Sequence, residues 1–185
     1  MQTETPSFKR RSISSRNKPG GGKHRTEVSA GGLVFKRTKD GVVFAMVVDS
    51  YGKWAFPKGH VKPDERYREA AVREIREEMG LSRLRTISRL DTIDIWFRDR
   101  FVHKGSLIHK YIHYFLFEAH PDAILIKPAP KDEGETIKDV AWVPAGELLQ
   151  RSSYKDMLGI IKKALRLCSS PSWKTSRRLA PKVKQ

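Results

Sequence analysis

Apolar residues in the first third of the chain occur in short runs that end at turn residues, a pattern typical of β-strands. Residues 27–36 predict a strand that contains a pair of glycines, which indicates a bulge or a close approach of another group to the backbone. Residues 42–48 are almost continuously apolar and predict a buried strand. Residues 54–56 predict a short extended piece that stops at Pro57.

The region after Pro57 predicts the first long helix, over residues 65–79. Four apolar side chains recur there at helical spacing, namely Ala71, Val72, Ile75 and Met79. Gly80 predicts the C-terminal end of this helix, and Asp64 predicts its N-cap. Because the apolar side chains form one stripe, we expect the helix to pack on a sheet through that stripe.

The second half of the chain alternates strand and helix patterns without an internal repeat. Predicted strands cover residues 93–97, 107–117 and 137–143, with a hairpin loop at residues 99–105. Helical patterns follow at residues 144–149 and 154–167. Mixed strands with a few helices predict an α+β class or an α/β/α sandwich around a mixed sheet.

Three glutamates share a second face of the predicted helix. At about 100° per residue, Glu74, Glu77 and Glu78 fall within an arc of about 100°, beside the apolar stripe. Like charges at this spacing destabilise an isolated helix by roughly 0.2–0.5 kcal/mol per pair. A hard divalent cation such as Mg²⁺ would compensate, because it prefers carboxylate oxygens. The alternative interpretation is a solvated acidic face with no ligand.

Positive charge is concentrated at the two ends of the chain, which has 185 residues and a formal net charge of +16. Residues 1–26 hold seven Lys/Arg against one acid, and residues 169–185 hold five Lys/Arg and no acid. We predict a basic, disordered leader over residues 1–26, one domain over residues 27–167, and a basic, disordered tail over residues 168–185. These ends either solubilise the protein or contact anionic partners such as nucleic acid.

The cysteine count and the length of apolar runs indicate in which cellular compartment the protein resides. Cys168 is the only cysteine, so an intrachain disulfide is excluded, which fits a reducing compartment. No apolar run follows the basic N-terminal residues, so we expect no signal peptide. The sequence contains no run of about 18 apolar residues, so we expect no membrane span. We therefore expect a cytoplasmic protein.

Residues 59–81 carry a specific motif. Their sequence, GHVKPDERYREAAVREIREEMGL, resembles the Nudix box, G-x5-E-x7-R-E-U-x-E-E-x-G-U, in which U is a bulky apolar residue. Every specified position is matched, by Gly59, Glu65, Arg73, Glu74, Ile75, Glu77, Glu78, Gly80 and Leu81. The segments VSAGGLVF, WAFPKG and WVP are similar to those that flank the box in family members. The resemblance implies a Nudix-type α/β/α sandwich over residues 27–167 and the hydrolysis of a diphosphate linkage.

The resemblance also implies a metal site formed by the box residues. Glu74 and Glu78 would ligate the catalytic Mg²⁺ (or Mn²⁺), and Glu77 would ligate a metal or a metal-bound water. The backbone carbonyl of Gly59 would join them. The general base would be Glu77, Glu78 or a glutamate from a later loop.

Supporting roles are implied for the remaining polar residues of the box. Arg73 would orient Glu74, while Glu65 would pair with Arg73 or reach a metal through water. Family members often use one more carboxylate from a later loop, for which the candidates are Glu133 and Glu135. We favour Glu135, and an exposed loop acid without a role is the alternative.

Candidate substrate contacts lie around the box and on one later strand. Lys58 and His60 flank the box glycine and could contact phosphate, as could Lys110, with Tyr111 beside it. The segments WAFPKGH and KYIHYFLF are together similar to the bacterial diadenosine polyphosphate hydrolase branch, which needs aromatic surfaces for an adenine ring. Candidates for such a surface are Trp96, Phe97 and Tyr111. Aromatic residues at strand spacing are more often part of a core.

The predicted function is therefore the hydrolysis of a dinucleoside polyphosphate such as diadenosine tetraphosphate. One alternative is a nucleoside triphosphate pyrophosphohydrolase that removes oxidised nucleotides. Another is an RNA 5′-end pyrophosphohydrolase, which the basic ends could assist. A Nudix-fold binding or regulatory module belongs to a different class, and the intact set of glutamates argues against it.

Overall fold

The computed structural model describes residues 24–99, 105–130 and 136–169. Its strands are β1 (Arg25–Thr38), β2 (Gly41–Val48), β3 (Trp54–Ala55), β4 (Lys58–His60), β5 (Leu84–Arg98), β6 (Leu107–Ala119) and β7 (Asp139–Pro144). Its helices are α1 (Tyr67–Met79), α2 (Leu148–Arg151) and α3 (Leu158–Ser169), with 3₁₀ turns at Ala145–Glu147 and Lys155–Met157. None of these helices combines the length and the apolar character needed to cross a membrane.

The strands form one mixed sheet. Its order is β3-β2-β1-β6-β5, with β4 added on β1 and β7 added on β2. The pair β1–β6 is parallel and the other pairs are antiparallel. A parallel pair needs a crossover connection, and here the crossover contains α1. The predicted α+β class with helices around a mixed sheet is confirmed.

A separate apolar cluster covers each face of the sheet, because alternate residues of a strand point to opposite faces. On one face, Leu33 of β1 belongs to a cluster with Ile161 of α3. On the other, Val34 belongs to a cluster with Ile75 of α1. Burying one such side chain contributes roughly 1.5–3 kcal/mol relative to leaving it exposed. We refer to these as the α3 face and the α1 face.

The helix α1 begins at Tyr67, later than predicted, and the predicted N-cap Asp64 is wrong. The N-cap position is Arg66, whose side chain makes no capping hydrogen bond. Asp64 instead adopts a left-handed conformation, with φ 62°, in the turn that joins β4 to α1. The predicted C-terminal end is confirmed, because Gly80 is left-handed and donates its N–H to the Arg76 carbonyl at 3.0 Å.

Two strands differ from the prediction for local reasons. β5 begins at Leu84, whereas the pattern predicted a strand only over residues 93–97. Two register shifts interrupt the alternation of side chains in the first half of β5, so the sequence there lacks the alternating apolar and polar pattern of a strand. β4 was not predicted, because it is three residues long and contains a glycine. The other predicted strands and helices are present with bounds shifted by a few residues.

Candidate active site

The strand β4 brings the backbone of Gly59 against α1. Gly59 pairs with Ala30 of β1, and the Gly32 N–H donates to the Pro57 carbonyl at 3.1 Å. A Cβ atom on Gly59 would lie 2.1 Å from Cδ of Glu74, closer than real Cβ contacts. Only glycine therefore lets the Glu74 carboxylate lie directly over this strand.

The glycine pair of β1 allows two further close approaches, as the sequence predicted. A Cβ on Gly31 would lie 2.3 Å from the Pro57 carbonyl oxygen, and one on Gly32 would lie 2.7 Å from the Phe117 ring. Without side chains at these positions, β4 and the α1-face core can pack directly against the β1 backbone. This packing places the box glycine next to the box helix.

The Arg73 side chain connects the polar residues of the box to one another. Its Nε and Nη2 donate to the two carboxylate oxygens of Glu65 at 2.8 and 2.9 Å, which makes a bidentate pair. Its Nη1 donates to Glu74 at 2.5 Å and lies 3.6 Å from Glu77. Nη2 also donates to the His60 carbonyl at 2.8 Å. Arg73 therefore holds the loop before α1 and the Glu74 carboxylate in one arrangement.

The Arg73–Glu65 pair keeps both groups ionised. Hydrogen bonds from Arg73 lower the pKa of Glu65 from 4.5 to about 2. Hydrogen bonding to Glu65 in turn raises the pKa of Arg73 above its usual value. Both side chains are 15% exposed, so water screens their attraction only in part.

The three glutamates of α1 differ in exposure. Glu74 is buried, Glu78 is half-buried and the Glu77 side chain is 41% exposed. Among the described residues, no three His, Cys, Asp or Glu side chains converge closely enough to enclose a cation. Mg²⁺ commonly takes one or two protein carboxylates and completes its octahedral shell with water and substrate phosphates. The oxygen donors of α1 fit such an ion.

The candidate phosphate contacts form a second group on the α3 face. Lys58 and His60 are alternate residues of β4, and their register with β1 places both side chains on this face. Glu27 Oε2 lies 3.2 Å from His60 Nε2 and 3.4 Å from Lys110 Nζ. Glu27 thus brings His60 and Lys110 together. We refer to Glu27, Lys58, His60 and Lys110 as the charged cluster.

Tyr111 belongs instead to an aromatic group on the α1 face. Its ring centroid lies 4.3 Å from that of His109, which stacks on Trp96 at 3.9 Å. His109 Nε2 lies 2.8 Å from Asp94 Oδ1. Phe97 alternates with Trp96 and points to the opposite face, so it is not part of this surface. Tyr111 is therefore separated from the charged cluster by the sheet.

Two predicted residues cannot be placed, and two residues of the site were not predicted from the sequence. Glu133 and Glu135 lie outside the described residues, and their role stays a prediction. The sequence pattern did not single out Glu27, because an acid at the start of a strand is ordinary. Only the parallel pairing of β1 with β6 sets it opposite Lys110. His109 was likewise missed, because its stacking on Trp96 depends on the β5–β6 register.

Comparisons with known proteins show the family and the fold of the chain. The family model described as the NUDIX domain matches residues 25–164. A Mycobacterium tuberculosis protein that carries the name MutT4 is 36% identical over 163 residues, which cover 83% of this chain and 61% of that protein. The mouse asymmetrical bis(5′-nucleosyl)-tetraphosphatase is 28% identical over 143 residues, 76% of this chain and 90% of that protein. A solved C. elegans Ap4A hydrolase shares the fold with a TM-score of 0.59 and 21% identity, over 74% of this chain and 93% of that one.

Proposed function

The chain belongs to the Nudix family, and we propose that it is a metal-dependent hydrolase that cleaves a diphosphate linkage in a dinucleoside polyphosphate such as diadenosine tetraphosphate. The observation that carries this proposal is the Glu74 carboxylate, which lies against Gly59 and accepts a hydrogen bond from Arg73. A buried carboxylate held in this way is preorganised to ligate a metal ion through its oxygen atoms. Two further glutamates on the same helix supply additional donors.

We assign metal binding to Glu74, Glu77 and Glu78, together with the Gly59 carbonyl. A bound Mg²⁺ or Mn²⁺ ion would neutralise phosphate charge and lower the pKa of a water ligand. The contribution of Arg73 is to keep Glu74 oriented. A carboxylate, from α1 or from Glu135, accepts the proton of the attacking water. The water oxygen bonds to phosphorus while the bridging P–O bond breaks and the leaving phosphate keeps that electron pair.

The charged cluster is the proposed contact for the phosphate chain. Within the part of the chain that is described, β4 pairs with β1 alone, so no further strand lies along its other edge, where Arg73 binds the His60 carbonyl. Gly59 faces α1, whereas Lys58 and His60 face the other side of the same strand. A polyphosphate that passes along this edge can reach the carboxylates of α1 and the cations of the charged cluster. The predicted phosphate contacts are consistent with this path.

The aromatic group on the α1 face is the proposed contact for a nucleoside. Trp96 and Tyr111 are half-buried and lie on either side of the buried His109 on one side of the β5–β6 pair, and planar bases stack on aromatic rings of this kind. The substrate named for the mouse relative, a bis(5′-nucleosyl) tetraphosphate, contains both a phosphate chain and two nucleosides. These features together favour a dinucleoside polyphosphate over a simple diphosphate.

The proposal is tested by product analysis. The purified protein is incubated with Mg²⁺ or Mn²⁺ and with diadenosine tetraphosphate, oxidised deoxyguanosine triphosphate, a nucleoside diphosphate sugar or 5′-triphosphorylated RNA. ATP plus AMP from diadenosine tetraphosphate, abolished by EDTA, is the expected result. Nucleoside monophosphate plus pyrophosphate from the oxidised nucleotide would favour the nucleotide-cleansing alternative. Turnover of RNA alone would favour 5′-end processing, and no turnover of any substrate would favour a binding module.

A further inference from the structure

We propose that Glu27 is an internal competitor for the substrate phosphate and limits the affinity of the charged cluster for polyphosphate. The inference rests on the proposed function, since it concerns the same phosphate contacts. Glu27 would then be a residue that tunes affinity through His60 and Lys110, without taking part in the chemical step.

A carboxylate oxygen of Glu27 lies next to two nitrogen atoms that are candidate phosphate contacts. Glu27 lies directly opposite Lys110 in the parallel register of β1 and β6. The same oxygen, Oε2, lies 3.2 Å from His60 Nε2 and 3.4 Å from Lys110 Nζ. The His60 contact is a hydrogen bond to the carboxylate, and the Lys110 contact is an ion pair. Phosphate oxygens accept from the same donors at similar distances, and therefore compete for this position.

The burial of the pair makes the competition effective. The Glu27 and Lys110 side chains are 21% and 17% exposed, so water screens their interaction incompletely. A phosphate that binds to His60 or Lys110 lies beside the Glu27 carboxylate, whose charge repels it. The net effect of Glu27 is weaker binding of every phosphate ligand, including the product.

The decisive variant is Glu27→Gln, which preserves the shape and one acceptor oxygen but removes the negative charge. Its affinity for inorganic tripolyphosphate is measured by isothermal titration calorimetry in EDTA, so that the metal site does not contribute. We expect the dissociation constant to fall about fivefold, the effect of one partly exposed charge pair. In turnover of diadenosine tetraphosphate, KM should fall while kcat stays unchanged. The matched control is Glu147→Gln, which removes an exposed carboxylate paired with Arg151 and should change neither quantity.

A double-mutant cycle with Lys110→Met identifies the donor through which Glu27 acts. In the Lys110→Met background, the gain from Glu27→Gln should shrink to less than about twofold, because Lys110 is the more buried of the two contested donors and His60 is 66% exposed. The proposal is overturned if a Glu27→Gln protein with wild-type melting temperature binds tripolyphosphate no more tightly than wild type. A full gain from Glu27→Gln in a protein that lacks both donors, with Lys110→Met and His60→Gln, would also overturn it. Since tripolyphosphate binding requires no turnover, a wild-type protein that is inert towards nucleotides but shows this pattern would refute the proposed function alone.

Discussion

Replacement of Gly59 by alanine puts a methyl group where the Glu74 carboxylate now lies. The added Cβ would be 2.1 Å from Cδ of Glu74 and 2.2 Å from each of its carboxylate oxygens. The carboxylate is the far end of a flexible side chain, whereas β4 is held by its register with β1. We therefore expect the Glu74 side chain to rotate away while the strand stays in place.

The effect of this movement on stability should be moderate and its effect on turnover large. Glu74 gives up its hydrogen bond from Arg73, and a hydrogen bond to a charged group contributes roughly 1.5–3 kcal/mol. Because the displaced carboxylate regains water, we expect a net loss of about 1–2 kcal/mol in the free energy of unfolding. Misplacing a catalytic group by about 1 Å can reduce turnover about 100-fold. We expect a loss of at least that size.

Guanidinium unfolding and turnover of diadenosine tetraphosphate measure the two effects separately. Gly146→Ala is the matched control, because a Cβ at Gly146 meets nothing within 4 Å. The control should leave stability and turnover unchanged. A folded Gly59→Ala protein with wild-type turnover would refute the argument that Glu74 must lie over β4. A protein that fails to fold would contradict the expectation that the side chain, and not the strand, gives way.

Three further predictions concern α1 and the loop that precedes it. Arg73→Gln should reduce turnover about 10- to 100-fold, because Glu74 loses the side chain that orients it. Steady-state kinetics measure the loss, and an unchanged kcat would contradict the prediction. Glu78→Gln should reduce turnover by orders of magnitude but leave the melting temperature near that of the wild type, and a large fall in melting temperature would instead indicate a structural role. The depressed pKa of Glu65, about 2 against 4.5, means that its pairing stabilises the protein fully above about pH 4.5 and progressively less as the pH falls towards 2. Urea unfolding across this range should show a weaker pH dependence for Glu65→Gln than for wild type.

The features that sequence predicted correctly depend on neighbours that are close along the chain. Helical spacing places Ala71, Ile75 and Met79 on one side of α1, and all three are fully buried. The box pattern implied that Arg73 supports Glu74 and pairs with Glu65, and both contacts are present. These residues lie within three helical turns of one another or in the adjoining loop. Local geometry alone therefore brings them together.

The features that sequence did not predict depend on strand pairing. Glu27 and Lys110 meet only because β1 and β6 run parallel in one particular register. Trp96 stacks on His109 only because the β5–β6 register sets them opposite each other. A shift of one residue in either pairing would move every side chain of a strand to the other face. A single sequence does not fix such registers, so these contacts could not be read from it.

The three residues of β4 explain why the box glycine matters to both halves of the candidate site. Gly59 lies under the Glu74 carboxylate on the α1 face, while the flanking Lys58 and His60 extend to the α3 face. His60 also joins the two halves, because its carbonyl accepts from Arg73 and its ring contacts Glu27. Any displacement of β4 must therefore change the metal-binding carboxylates and the phosphate contacts together. A substitution that moves this strand should lower metal affinity and polyphosphate affinity in parallel, whereas Glu27→Gln should change only the second.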